Sequence, residues 1–241
     1  VTNGLSGLAI DLGGTLFAAV SKTALEGMRA EGMAEVARSL RVPDENEFVS
    51  VLDRRLAERH ERAKRIRREF SVEGGVLEAC DTIGVERPDK TRLVSACEAF
   101  YSPYVRDLRI ADGAVASLAW ALVRGFRLAL VSNGAWKRFT DRLLRENGLS
   151  DVFDPVVVSE DVGMRKPDPR IFEVVVSSWD VNAGAIVMIG DDPCVDIEGA
   201  KAAGLRTIWF RNGRHESACA DATIDSWHDL PWVLSGWVGE S

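Results

Sequence analysis

The sequence predicts an α/β protein, with a parallel sheet flanked by helices on both faces and an all-helical insertion. Three observations carry this expectation. A short apolar run near the N-terminus ends in a glycine-rich turn, Asp11-Leu12-Gly13-Gly14-Thr15. From Thr23 to about Pro103 there is no strand-like run, only helical spacing. After Asp112, apolar runs of four to six residues alternate with helical stretches, which is the signature of βαβ units.

Taken in order, Gly7 to Asp11 reads as a buried strand running into a turn. Helices are expected over 23–41, 44–69, 72–84 and 89–102, with Pro43, Pro88 and the Gly74-Gly75 pair near the breaks. A helix over 113–124 then precedes a strand from Arg127 to Val131, and a helix over 135–146 precedes Val156-Val157-Val158. A helix over 168–178 precedes Ala185 to Ile189, and one over 193–203 precedes Thr207 to Phe210. The expected division is a core of residues 1–16 and 111–241, interrupted by a helical insert over 17–110.

Composition bounds the function. The chain has 241 residues, 46% hydrophobic and 28% charged, enough to bury a core and too apolar for a disordered chain. Its net charge of −7 argues against nucleic acid or a membrane surface as partner. No window approaches 18 uninterrupted apolar residues, so no membrane span is expected. Val1 to Gly7 lacks the positive and apolar pattern of an export signal. Cys80, Cys97, Cys194 and Cys219 are scattered without a CxxC pair, which suits reduced thiols and a cytoplasmic location. The insert holds 17 basic and 17 acidic residues, so the negative balance belongs to the core, with 13 and 20. Arg54 to Arg68 carries eight basic residues and two acidic ones. That stretch reads as a solvated helix face, or as a cationic surface turned toward an anionic substrate.

In an open α/β sheet, ligands sit outside the carboxyl ends of the strands. The polar residues expected there are Asp11, Ser132 and Asn133, and Asp191 and Asp192, with Lys166 in the loop Arg165-Lys166-Pro167-Asp168-Pro169. A carboxylate, a hydroxyl, an amine and an acidic pair are the parts that phosphoryl transfer needs. They supply a nucleophile, stabilisation of the transferring group and a hold for a metal.

Four segments make the pattern specific: Asp11-Leu12-Gly13-Gly14-Thr15-Leu16, Val131-Ser132-Asn133-Gly134, Lys166-Pro167-Asp168-Pro169 and Gly190-Asp191-Asp192. In this order they resemble the four motifs of the haloacid dehalogenase superfamily, and the helical stretch between the first two resembles its C1-type cap. The resemblance implies a Rossmann-like core and a hydrolase acting on a small phosphorylated metabolite. It implies that Asp11 is the nucleophile, that Ser132 with Asn133 and Gly134 binds the phosphoryl group, and that Lys166 holds the two together. Thr15 would orient the first loop. Mg²⁺ would be held by Asp11, the Gly13 carbonyl and the Asp191-Asp192 pair, with Asp196 behind them.

Position 13 departs from the family's phosphatases, which carry there a second Asp that protonates the leaving group and then activates water. Its loss removes help typically worth about 10²–10⁴ in rate. A cap residue or a substrate group could supply the acid instead. The phosphonate-cleaving relatives use a cap lysine, and this insert offers Lys22, Lys64 and Lys90. A second reading is a 2-haloacid dehalogenase, which also lacks that Asp. Those relatives need no metal and lack the acidic pair that this chain keeps. A third is a pseudoenzyme that binds a phosphorylated metabolite.

Trp227, Trp232 and Trp237 recur at a spacing of five. They suit packing of a last amphipathic segment or a self-association surface, so monomer and homodimer both stand. His60, His215 and His228 match no motif and receive no catalytic role.

Overall fold

The computed structural model describes residues 4–213 and 219–238. His215 and Val1–Asn3 therefore lie outside the described residues.

Strand β1 (Gly7–Ile10) is buried along its whole length. It is followed by four helices: α1 (Lys22–Leu40), α2 (Glu45–Ile66), α3 (Val72–Ile83) and α4 (Lys90–Asp107). Each starts at a side-chain cap: Ser21, Asp44, Ser71 and Asp89 accept from the backbone N–H three residues on. The sequence then alternates as α5 (Ala114–Val123), β2 (Arg127–Ser132), α6 (Lys137–Glu146), β3 (Val156–Val158), α7 (Ser159–Val162), α8 (Arg170–Trp179) and β4 (Ile186–Gly190). A π-type turn over Pro193–Glu198 leads into α9 (Gly199–Ala202), followed by β5 (Arg206–Phe210), β6 (Ala222–Ile224) and α10 (Leu230–Val238).

The strands form one parallel sheet in the order β3-β2-β1-β4-β5-β6. Chain order reverses at β1, which pairs with β2 on one side and β4 on the other. That is the switch point at which an α/β sheet opens a crevice. One face of the sheet, with Leu8, Ile10, Leu130 and Ile189, packs under α5, α6 and α10. The other, with Ala9, Ala129, Val131 and Met188, packs under α8 and α9. Helices α1–α4 close around a separate cluster including Val36, Phe48, Leu52, Val76 and Phe100. Trp136, just before α6, joins that cluster and so ties the helical segment to the sheet.

Two elements depart from the expected reading. The helix expected to end at 102 runs on as α4 through Pro103 to Asp107. Pro103 removes one backbone donor, but the helix is held by packing: Tyr101 stacks on Trp136 at 5.6 Å and on Phe139 at 4.4 Å. The helix expected over 193–203 opens instead as the π-type turn, with the Ile197 N–H donating to the Asp192 carbonyl at 3.3 Å and the Asp192 side chain capping Cys194 and Val195. The tryptophan series divides. Trp227 is fully buried, Trp237 is half-buried on α10, and Trp232 is exposed.

Candidate active site

The site grows from the carboxyl ends of three neighbouring strands. Asp11 follows β1, and its backbone N–H donates to the carbonyl of Ile189 on β4 at 2.9 Å. Ser132 is the last residue of β2 and is buried. Asp191 follows the end of β4. Asp11 is only 7% exposed and Lys166 only 2%.

Lys166 is the hub. Its Nζ donates to Asp11 Oδ1 at 2.6 Å and to the Val131 carbonyl at 2.9 Å. It also forms an ion pair of 2.7 Å with Asp196 Oδ1. Burial alone would depress this ammonium, but the two carboxylates outweigh it and hold its pKa above the ordinary lysine value. Burial also raises the Asp11 carboxyl, opposed by Lys166 and reinforced by Asp191. Burial pushes Asp196 up to about 6, again against the pull of Lys166.

The loop carrying Lys166 is locked by Asn133. Asn133 Nδ2 donates to the Lys166 carbonyl at 3.0 Å, and the Lys166 N–H donates to Asn133 Oδ1 at 2.8 Å. The Gly134 N–H donates to Ser159 Oγ at 3.0 Å. Of the two residues expected to touch substrate, Asn133 thus has its amide engaged in fixing the lysine loop, and Gly134 has its N–H engaged by Ser159.

Asp11, Asp191 and Asp196 each present a carboxylate oxygen, all within 4.8 Å of one another. Asp192, expected beside Asp191, is directed elsewhere. Its Oδ1 accepts from Cys194 and Val195, both at 2.9 Å. Its N–H donates to Asp196 Oδ2 at 3.1 Å, and this helps seat Asp196 in the cluster. Thr15 is fully buried, with a hydroxyl that finds no hydrogen-bond partner among the described residues.

Two glycines create the space. Gly14 has φ +86°, and a Cβ there would stand 2.6 Å from Asp191 Oδ2. At Gly190 a Cβ would stand 2.4 Å from Asp196. The carboxylates therefore lie against bare backbone that only glycine provides. At Gly13 a Cβ would meet nothing within 4 Å. Three clustered carboxylates, two of them paired with one ammonium, leave an excess of negative charge on hard oxygens, a donor set that fits Mg²⁺.

Sequence reasoning missed Glu69, in the link between α2 and α3. Its Oε2 accepts from Ser159 Oγ and from Arg165 Nη1, both at 3.0 Å. The Arg165 N–H donates to the Arg67 carbonyl in the same link at 3.2 Å. Arg165 adjoins Lys166, so the helical segment is anchored beside the lysine loop. No sequence signal marks Glu69 among its charged neighbours.

Residues 5–204 match the family model of a haloacid dehalogenase-like hydrolase. A phosphoserine phosphatase of Thermus thermophilus is 36% identical over 126 residues, 52% of this chain and 49% of that protein. A glyceraldehyde 3-phosphate phosphatase of Pyrococcus abyssi is 32% identical over 116 residues, 48% of each chain. The chain spans about half the length of these curated relatives. Among solved structures, a 2-haloacid dehalogenase from Pseudomonas syringae superposes with a TM-score of 0.68 at 28% identity, covering 97% of this chain and 99% of that one. A phosphatase of the same superfamily from Thermococcus onnurineus shares the fold, with a TM-score of 0.67, 22% identity and coverage of 96% and 99%. Among the described residues no helix is long and apolar enough to cross a membrane.

Proposed function

The chain belongs to the haloacid dehalogenase-like hydrolases, and on that premise we propose a Mg²⁺-dependent phosphatase of a small phosphorylated metabolite. The observation that carries this reading is the cluster of Asp11, Asp191 and Asp196, with the Lys166 ammonium paired to Asp11 and Asp196. The proposed division is a core of residues 1–16 and 111–241 with a helical cap over 17–110.

Asp11 attacks phosphorus through a carboxylate oxygen. A P–O bond to Asp11 forms as the bond to the leaving oxygen breaks, and water then hydrolyses the aspartyl phosphate. Lys166 holds Asp11 Oδ1 and so fixes the direction of attack. With the Ser132 hydroxyl it also offsets the negative charge of the transferring phosphoryl oxygens. Asp11, Asp191 and Asp196, with the Gly13 carbonyl, would hold Mg²⁺, which supplies further charge neutralisation there. Asn133 and Asp192 act behind these groups, by seating Lys166 and Asp196, while Gly134 beside Ser132 is left to help bind the phosphoryl group. Thr15 lies in the turn that carries Asp11 and orients it. Cap movement would admit substrate to Asp11 and Lys166, both of which are nearly buried.

Gly13 shapes the substrate range. Without a carboxyl group there, a basic alkoxide leaving group departs poorly, while aryl and acyl phosphates need no acid. Gly13→Asp should raise turnover of alkyl phosphates by about 10²-fold or more.

The likeness to the Pseudomonas syringae dehalogenase favours a second reading, carbon–halogen hydrolysis. In it the Asp11 carboxylate attacks carbon and expels halide, with no metal. A panel of phosphate esters and 2-haloacids, with and without Mg²⁺, separates the two. Metal-dependent phosphate release supports the first; halide release that ignores metal overturns it.

A further inference from the structure

The turn that carries Asp11 is held from a distant part of the chain. The Gly14 carbonyl accepts from Nδ2 of Asn212. The next carbonyl, of Thr15, accepts from Nε1 of Trp227 at 2.9 Å. The Asp191 carbonyl, on the facing loop, accepts from Nε1 of Trp209 at 3.0 Å. All three donors lie beyond residue 204, where the match to the family model stops.

Each donor is itself aimed. Trp209 sits in β5, paired with Gly190 of β4. Asn212 adopts φ 50°, the left-handed conformation that asparagine tolerates better than most residues. Trp227 is fully buried, and its carbonyl accepts from Ser117 Oγ of α5 at 2.6 Å. The turn they grip contains Gly13-Gly14, a pair with little backbone restraint of its own.

We infer that Asn212 and Trp227 are positioning residues for Asp11. The C-terminal part of the chain supplies, through two carbonyl contacts, the rigidity that a glycine pair lacks. The inference rests on Asp11 being the reacting group of the proposed phosphatase. A purely structural role, satisfying two inward carbonyls, would stabilise the whole sheet and leave catalysis alone.

Two variants of the full chain separate these roles. Asn212→Gly keeps the left-handed backbone and deletes the amide, while Trp227→Phe keeps a buried ring and deletes the N–H. The first readout is amide hydrogen exchange without substrate over residues 12–17, where the N–H groups of Gly14, Leu16 and Phe17 bond within the turn. Exchange there is expected to quicken about tenfold while β2 and β4 keep the parent's rates. The second readout is turnover of p-nitrophenyl phosphate with Mg²⁺, where kcat should fall about tenfold and KM should stay within about twofold. Unchanged exchange at 12–17 in Asn212→Gly, or a rise spread evenly over the sheet, overturns the inference. So does a quickened turn with an unchanged kcat. A parent that turns over no phosphate, with the local exchange response intact, contradicts the phosphatase reading while the clamp on the turn stands.

Discussion

Lys166 and Asp11 form an ion pair of 2.6 Å in which the lysine side chain is 1% exposed and the aspartate 10%. The two residues are 155 positions apart, and the pair joins the loop before α8 to the end of β1. A buried charge is tolerated only with its partner in place.

Lys166→Met should therefore cost about 3–5 kcal/mol of stability, because it strands two buried carboxylates. Adding Asp11→Asn to that variant should recover part of the loss. Urea denaturation of the two variants measures this directly. A loss under about 1 kcal/mol for Lys166→Met would mean that the carboxylates are better solvated than their burial indicates.

Asp196 should contribute a loss of stability to the metal-free protein as pH rises from about 4 toward 6. Asp196 titrates near 6 in the folded chain against an ordinary value of 3.8. Across that window the folded state binds its proton more tightly than the unfolded state, so ionisation favours unfolding. Lys166 has the same sign in a different window. Its raised pKa gives stability that persists below the ordinary lysine value and is lost only in strong alkali. Denaturation of the parent and of Asp196→Asn at several pH values isolates the first contribution, as a slope present in the parent and reduced in the variant. Mg²⁺ affinity should weaken below pH 6 for the same reason, since protons and metal compete for these oxygens.

Adjacent glycines should respond differently to alanine. Gly13→Ala meets open space and should change stability by less than about 1 kcal/mol. Gly14→Ala forces a side chain into φ +86° and against Asp191, and should cost about 1–3 kcal/mol together with most metal affinity. Calorimetric Mg²⁺ titration of both variants is the check; equal behaviour would contradict the packing described around Asp191.

Glu69→Ala should loosen the helical segment α1–α4 from the lysine loop. It removes the acceptor of both Ser159 and Arg165, leaving an arginine side chain that is 10% exposed without its carboxylate. Limited proteolysis should speed up in the 67–71 link, and Glu69→Gln should restore part of the protection by accepting one of the two bonds. Identical cleavage in all three proteins would show that the anchor lies elsewhere.

The order of apolar runs made the sheet and the helical segment legible, because parallel strands buried on both faces read as continuous hydrophobic stretches. Asp11, Ser132 and Lys166 stand out in the sequence because each lies at the end of an apolar run or in the loop before a helix. What stayed hidden depends on three-dimensional closure. The motif puts Asp192 beside Asp191 on the metal and Asp196 behind them, yet the π-type turn sends Asp196 into the cluster and keeps Asp192 on backbone N–H groups. Pro103 reads as a helix end, but aromatic stacking on Trp136 carries the helix past it. The contacts of Glu69, Asn212 and Trp227 span long stretches of chain, and no local pattern announces such partners.

The most direct test of the account is acid-quenching of the enzyme during turnover of an aryl phosphate with Mg²⁺, followed by peptide mass spectrometry. A phosphoryl group on Asp11, absent when the metal is chelated and absent in Asp11→Asn, is the predicted result. Turnover that proceeds undiminished in Asp11→Asn would contradict it.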